Sequence, residues 1–98
     1  MEKLEFDYPA ANQPVAGRSH AGVAGSGDME LLMEPSQTRA AHVSILTSVN
    51  GFGNAWKAVM DRFFSRHYGA VRIEINDGGT TPGVVMLRLE QALEALEK

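Results

Sequence analysis

The stretch His42-Val43-Ser44-Ile45-Leu46-Thr47-Ser48-Val49-Asn50-Gly51-Phe52-Gly53-Asn54-Ala55-Trp56 decides the fold, because its side-chain period changes partway along. Val43, Ile45, Thr47 and Val49 alternate with His42, Ser44, Leu46 and Ser48, which is the period of two expected of a half-buried strand. Two glycines in Asn50-Gly51-Phe52-Gly53-Asn54 break that strand, and Asn54 is the expected N-cap of a helix. Trp56, Val59, Met60, Phe63, Phe64 and His67 then recur at spacings of three and four, with Lys57, Asp61, Arg62 and Ser65 off the stripe. Gly69 is the expected C-terminal stop.

Outward from this segment the signals repeat. Towards the C-terminus, Val71, Ile73 and Ile75 alternate with Arg72, Glu74 and Asn76 as a further strand. Asp77-Gly78-Gly79-Thr80-Thr81-Pro82 supplies turn residues, a Thr N-cap and a proline at the first helical position. Val85, Leu89, Ala92, Leu93 and Leu96 form the apolar stripe of the last helix. Towards the N-terminus, Pro35-Ser36-Gln37-Thr38 reads as a turn, and His20–Ala24 with Met29–Met33 read as the arms of a hairpin around Gly25-Ser26-Gly27. Leu4, Phe6 and Tyr8 alternate with Glu5 and Asp7 as a short first strand ended by Pro9. Ala10–Arg18 reads as a connecting loop and the most mobile internal segment. The order predicts an α+β fold. Its small antiparallel or mixed sheet has about five strands, with two amphipathic helices packed on one face. A four-helix-bundle carrier would need helical periodicity at residues 20–34, which they lack.

Composition narrows the function. A chain of 98 residues with 44% hydrophobic content is expected to form a single domain over 1–98. Folding at that size buries roughly two thirds of the unfolded surface. A formal net charge of −3 with scattered basic residues opposes phosphate-backbone binding, so no nucleic-acid partner is expected. The absence of cysteine removes thiolate chemistry and thiolate zinc sites and, with no secretory signal at Met1-Glu2-Lys3-Leu4-Glu5, favours a cytoplasmic protein. No stretch approaches the roughly 20 apolar residues of a membrane span, so no membrane partner is expected.

Gly25-Ser26-Gly27-Asp28 is the most informative local motif. Its glycines strip bulk from around one hydroxyl, and no nearby residue supplies the base a nucleophilic serine requires, which points to modification or binding rather than catalysis. By composition alone it also reads as an ordinary turn, with Asp28 a solvated acceptor. His20, His42 and His67 lie on different elements and match no compact metal-ligand spacing, so no metal is expected. The Gly-x-Ser-x-Gly elbow of a hydrolase is absent. Gly51-Phe52-Gly53 has Trp56 where a dinucleotide fingerprint would place its third glycine. The 77–83 turn lacks the P-loop lysine, and the aromatic stripe of Trp56, Phe63 and Phe64 reads as core.

Three separated segments carry a resemblance. Ala21-Gly22-Val23-Ala24-Gly25-Ser26-Gly27-Asp28-Met29-Glu30, Thr47-Ser48-Val49-Asn50-Gly51-Phe52-Gly53 and Asn76-Asp77-Gly78-Gly79-Thr80-Thr81-Pro82-Gly83-Val84-Val85, continued by Arg88-Leu89-Glu90-Gln91-Ala92, resemble the acyl carrier (delta) subunits of malonate decarboxylases. The resemblance implies a non-catalytic carrier in which Ser26, flanked by Gly25, Gly27 and Asp28, bears 2'-(5''-phosphoribosyl)-3'-dephospho-CoA through a phosphodiester. The thiol of that group would hold acetyl, exchange it for malonyl with release of acetate, and regain acetyl on decarboxylation, so that malonate becomes acetate and carbon dioxide. The implied partners are the acyl-transferase and decarboxylase subunits, a malonyl transferase and the prosthetic-group transferase, and the faces flanking the turn, including Asp28 and Glu30, are expected to dock against partner subunits. Citrate lyase carriers use a similar group, and Thr81-Pro82-Gly83 followed by Arg88 favours the malonate family. A stand-alone interaction module is the other alternative. Gly78-Gly79 departs from the Phe-Gly or similar pair expected at that turn.

Overall fold

The computed structural model describes residues 1–23, 25 and 27–96. Five strands, β1 (Glu2–Tyr8), β2 (Ser19–Gly22), β3 (Met29–Pro35), β4 (Ala41–Thr47) and β5 (Val71–Asp77), form a sheet in the order β1-β4-β5-β3-β2. The sheet is mixed, since β4 and β5 run parallel and every other pair is antiparallel. Helix α1 (Gly53–Phe64) makes the crossover that a parallel pair requires, and α2 (Pro82–Leu96) follows β5. The α+β sheet of five strands with two helices is the architecture the alternating patterns predict.

One face of the sheet holds the core. Met29, Leu31 and Met33 of β3, Val43 and Ile45 of β4, and Ile73 and Ile75 of β5 are buried against Trp56, Met60, Phe63 and Phe64 of α1 and Val85, Leu89, Ala92 and Leu96 of α2. Each of the larger side chains contributes about 1.5–3 kcal/mol relative to exposure. On the other face His42, Ser44, Arg72, Glu74 and Glu30 remain in contact with water, as strand alternation dictates.

Several boundaries differ from the sequence reading: β1 begins at Glu2, β2 spans Ser19–Gly22, and β3 runs on to Pro35, the residue expected to open a turn. Helix α1 is capped by Phe52, without a side-chain hydrogen bond, and Asn54 lies inside the helix. Its C-cap is Ser65, whose N–H reaches the Asp61 carbonyl, so the helix stops well before Gly69. Gly69 instead pairs with Gln13 in a parallel bridge, where a Cβ would stand 2.7 Å from Val15 Cγ1. That bridge anchors the loop read as most mobile. Gln13 N donates to Tyr68 O at 2.8 Å, Ala70 N donates to Gln13 O at 2.7 Å, and Ala11 is buried. Strand β4 ends at Thr47 rather than Val49, because the Thr47 hydroxyl accepts from Val49 N at 3.1 Å and turns the chain. Strand β5 in turn runs two residues further than Ile75, to Asp77. No helix among the described residues is long and apolar enough to cross a membrane.

Candidate functional site around the β2–β3 turn

The β2–β3 connection lies at the end of the sheet where β4 and β5 terminate, since Gly22 pairs with Glu30 and Met29 with Asp77. Ser26 is outside the described residues, but Gly25, Gly27 and Asp28 around it are placed. Their backbone is fastened to the β5–α2 loop. Gly27 N donates to Gly78 O at 2.8 Å, Gly78 N donates to Asp28 O at 2.8 Å, and Asp28 N donates to Gly25 O at 3.2 Å.

This approach leaves no space for a side chain at position 78, where a Cβ would stand 2.0 Å from the Gly25 carbonyl oxygen. The Phe-Gly pair expected from the family pattern is therefore excluded by backbone contact. At Gly25 and Gly27 the situation is reversed, because a Cβ would meet nothing within 4 Å among the described residues. One glycine permits contact and two leave open surroundings.

Asp28 has defined partners rather than only solvent. Its Oδ1 accepts from Met29 N at 2.7 Å and its Oδ2 from Arg88 Nη2 at 3.0 Å. The Met29 N–H and the Arg88 guanidinium hold its carboxyl below the usual carboxylate range. The Arg88–Asp28 pair ties α2 to the base of the turn, and Arg88 Nη1 also donates to Gln91 Oε1 at 3.1 Å within the helix. Its Nε is buried without a hydrogen-bond partner among the described residues. Glu30 is engaged separately, by His20 Nε2 at 3.1 Å and Asn76 Nδ2 at 3.4 Å.

Asp77 is the organising residue that the sequence reading treats only as a turn residue. It is the last residue of β5, points inward and is 9% exposed. Burial pushes its pKa up, but hydrogen bonds from the Thr80 hydroxyl and N–H, the Thr47 hydroxyl and the Gly79 N–H outweigh that and hold it below the ordinary value. Thr80 N and Thr47 Oγ1 lie 2.9 and 2.7 Å from its two oxygens. The strand alternation of Val71, Ile73 and Ile75 extends to Asp77 and was the available signal for its inward orientation. Thr81 caps α2 as expected, its carbonyl accepting from Val85 N at 3.1 Å.

The histidines are dispersed. His20 on β2 pairs with Glu30 and His42 on β4 with Asp7, while His67, expected on the α1 stripe, lies in the segment after α1 and pairs with Glu90. Trp56, Phe63 and Phe64 are buried, as the stripe predicts, so the aromatic helix is not an open partner surface.

The family model of the malonate decarboxylase delta subunit (MdcD), an acyl carrier protein, matches residues 16–96. The chain is 47% identical over 97 residues to a malonate decarboxylase acyl carrier protein of Pseudomonas putida, covering 98% of this chain and 97% of that one. It is 50% identical over 95 residues to the protein of the same name from Pseudomonas aeruginosa, covering 96% and 95%. Among solved structures, a chain of a Pseudomonas malonate decarboxylase hetero-tetramer crystallised with malonate matches with a TM-score of 0.91 and 45% identity, over 98% of this chain and 99% of that one. The fold, the three sequence segments and these relatives agree: this chain belongs to the malonate decarboxylase delta-subunit family of acyl carrier proteins.

Proposed function

We propose that this chain is the acyl carrier subunit of a cytoplasmic malonate decarboxylase, and that Ser26 carries 2'-(5''-phosphoribosyl)-3'-dephospho-CoA in phosphodiester linkage. The observation that carries the reading is the turn itself. Residues 25 and 27 have open surroundings among the described residues, while the backbone on either side is fastened to Gly78. Side-chain-free neighbours of this kind suit access by a modifying enzyme, which supports the reading. When bound, the group supplies a thiol that carries acetyl and malonyl as thioesters, chemistry for which the polypeptide has no cysteine.

This chain's own contribution is position. Asp28 and Arg88 tie the turn to α2, and Gly27 and Asp28 are tied to Gly78 after β5. A tether makes each later encounter with an acyl-transferase or decarboxylase subunit a local event at high effective concentration. The reacting centres belong to those partners, to a malonyl transferase and, for loading, to a prosthetic-group transferase. The carrier is not itself an enzyme.

Intact-mass measurement on protein made together with its operon partners tests this. The wild type gains the mass of the group, and Ser26→Ala does not. A mass increment that persists in Ser26→Ala overturns Ser26 as the attachment point.

A further inference from the structure

An apolar groove of about 370 Å³ opens beside the turn, between the start of α1 and the β5–α2 loop. Val49, Phe52, Trp56, Val59, Pro82 and Val85 are among its lining residues. Phe52 is 54% exposed and Val49 is also exposed, so these two form an open apolar rim, while Trp56 and Val85 beneath them are largely buried. The polar side chains at its floor are already engaged with one another, since Thr47 Oγ1 and Thr80 Oγ1 both donate to Asp77. What the groove offers a ligand is therefore aromatic and aliphatic surface rather than charge.

Its rim is continuous with the attachment turn. Gly79 lines the groove, and Gly78, immediately before it, exchanges backbone hydrogen bonds with Gly27 and Asp28. Clefts of comparable size among the described residues also occur around Pro35 and Ser36, at the opposite end of β3, and around Gln13 and Tyr68.

The chemistry of a dephospho-CoA group linked through phosphoribose selects the occupant. In such a group the adenosine stands next to the linking sugar, close to the protein, while the thiol is at the far end of the pantetheine arm. Adenine is its one flat aromatic surface, and aromatic side chains bind such surfaces by stacking. We propose that the groove beside Phe52 and Trp56 binds the adenine of the group carried on Ser26, leaving the pantetheine arm and its thiol outside. This rests on the reading of Ser26 as the attachment point. Because the ligand is tethered, effective concentrations in the millimolar range make even a weak site substantially occupied. Adenine held in the groove would set the direction in which the arm leaves the protein.

The test compares loaded protein, verified by its mass increment, with Ser26→Ala by methyl and indole NMR. The expected result is a set of ring-current shifts confined to Val49, Val59, Val85 and the Trp56 indole, with nuclear Overhauser contacts from the adenine protons to these groups. In loaded Phe52→Ala the shifts diminish at least several-fold while the mass increment remains, and in Phe52→Tyr they are retained. Loaded protein whose groove resonances match those of Ser26→Ala overturns the groove assignment and leaves the Ser26 reading standing. So do contacts from the pantetheine methyls in place of adenine. Wild type that gains no mass beside active operon partners overturns both.

Discussion

The turns at the two ends of the sheet each contain a serine in sequence but differ in the side chains around it. At the β3–β4 turn, Ser36 and Thr38 hydroxyls lie 3.2 Å apart, Thr38 N donates to Ser36 Oγ at 3.2 Å, and Thr38 Oγ1 reaches His42 Nε2 at 2.8 Å. That turn satisfies its hydroxyls with neighbouring residues, the ordinary behaviour of serine and threonine in a turn. At the β2–β3 turn, the residues on either side of Ser26 have no side chains, and fastening comes from backbone hydrogen bonds to Gly78, more than 45 residues along the chain. Both turns are tied to remote backbone, since Ser36 N donates to Ala70 O at 2.8 Å, so the difference lies in their side chains. The first engages hydroxyls with one another, and the second places glycines at 25 and 27.

The contrast can be broken most severely at Gly78. Gly78→Ala places a methyl carbon 2.0 Å from the Gly25 carbonyl oxygen, so the loop and the turn must separate. The expected cost is about 3 kcal/mol, lowering Tm by roughly 12–24 °C for a domain of this size. An unchanged Tm in calorimetry would show that the two segments do not act as one unit. Asp77→Asn comes next, with an expected loss of about 1–2 kcal/mol at neutral pH from the Thr47 and Thr80 hydrogen bonds. Asp77 is held below its unfolded-state value, so its stabilisation is present above the ordinary carboxylate range and is lost as pH falls through the folded value. Denaturation from pH 7 down to pH ~2.5 should therefore show the gap between wild type and Asp77→Asn narrowing as acid is added. A gap that widens contradicts the assignment. The smallest effect belongs to the other end. Ser36→Ala should change stability by no more than about 0.5 kcal/mol and leave the mass increment at Ser26 intact.

Much of this architecture was legible in the order of the residues, because alternation and helical stripes report which faces meet the core. Leu31, Ile45 and Ile73 announce a one-sided sheet, and Met60, Phe63 and Leu89 announce the helices that cover it. The ends of the elements were less legible. Asn54 has the chemistry of a cap, yet the helix starts before it, and Gly69 has the chemistry of a stop but serves the approach of Val15. Both depend on contacts distant in the chain, which local preference does not encode. The site divides in the same way. Gly25, Ser26, Gly27 and Asp28 stand together in the sequence, whereas the parts that fasten the turn, Gly78 and Arg88, and the groove beside it come from remote segments and are joined only by strand order.

That strand order also sets a sequence of events. Strand β5 sits between β4 and β3 and is the link through which the β1–β4 pair joins the β2–β3 pair. Until residues 71–77 arrive, the chain holds two separate two-stranded ribbons, which are at best marginal in water. During synthesis the Gly-Ser-Gly peptide emerges long before Gly78 and Arg88, the residues that turn it into a fixed surface. Any partner that grips the assembled turn rather than the peptide must therefore wait for the finished fold, because the late central strand completes the scaffold beneath it.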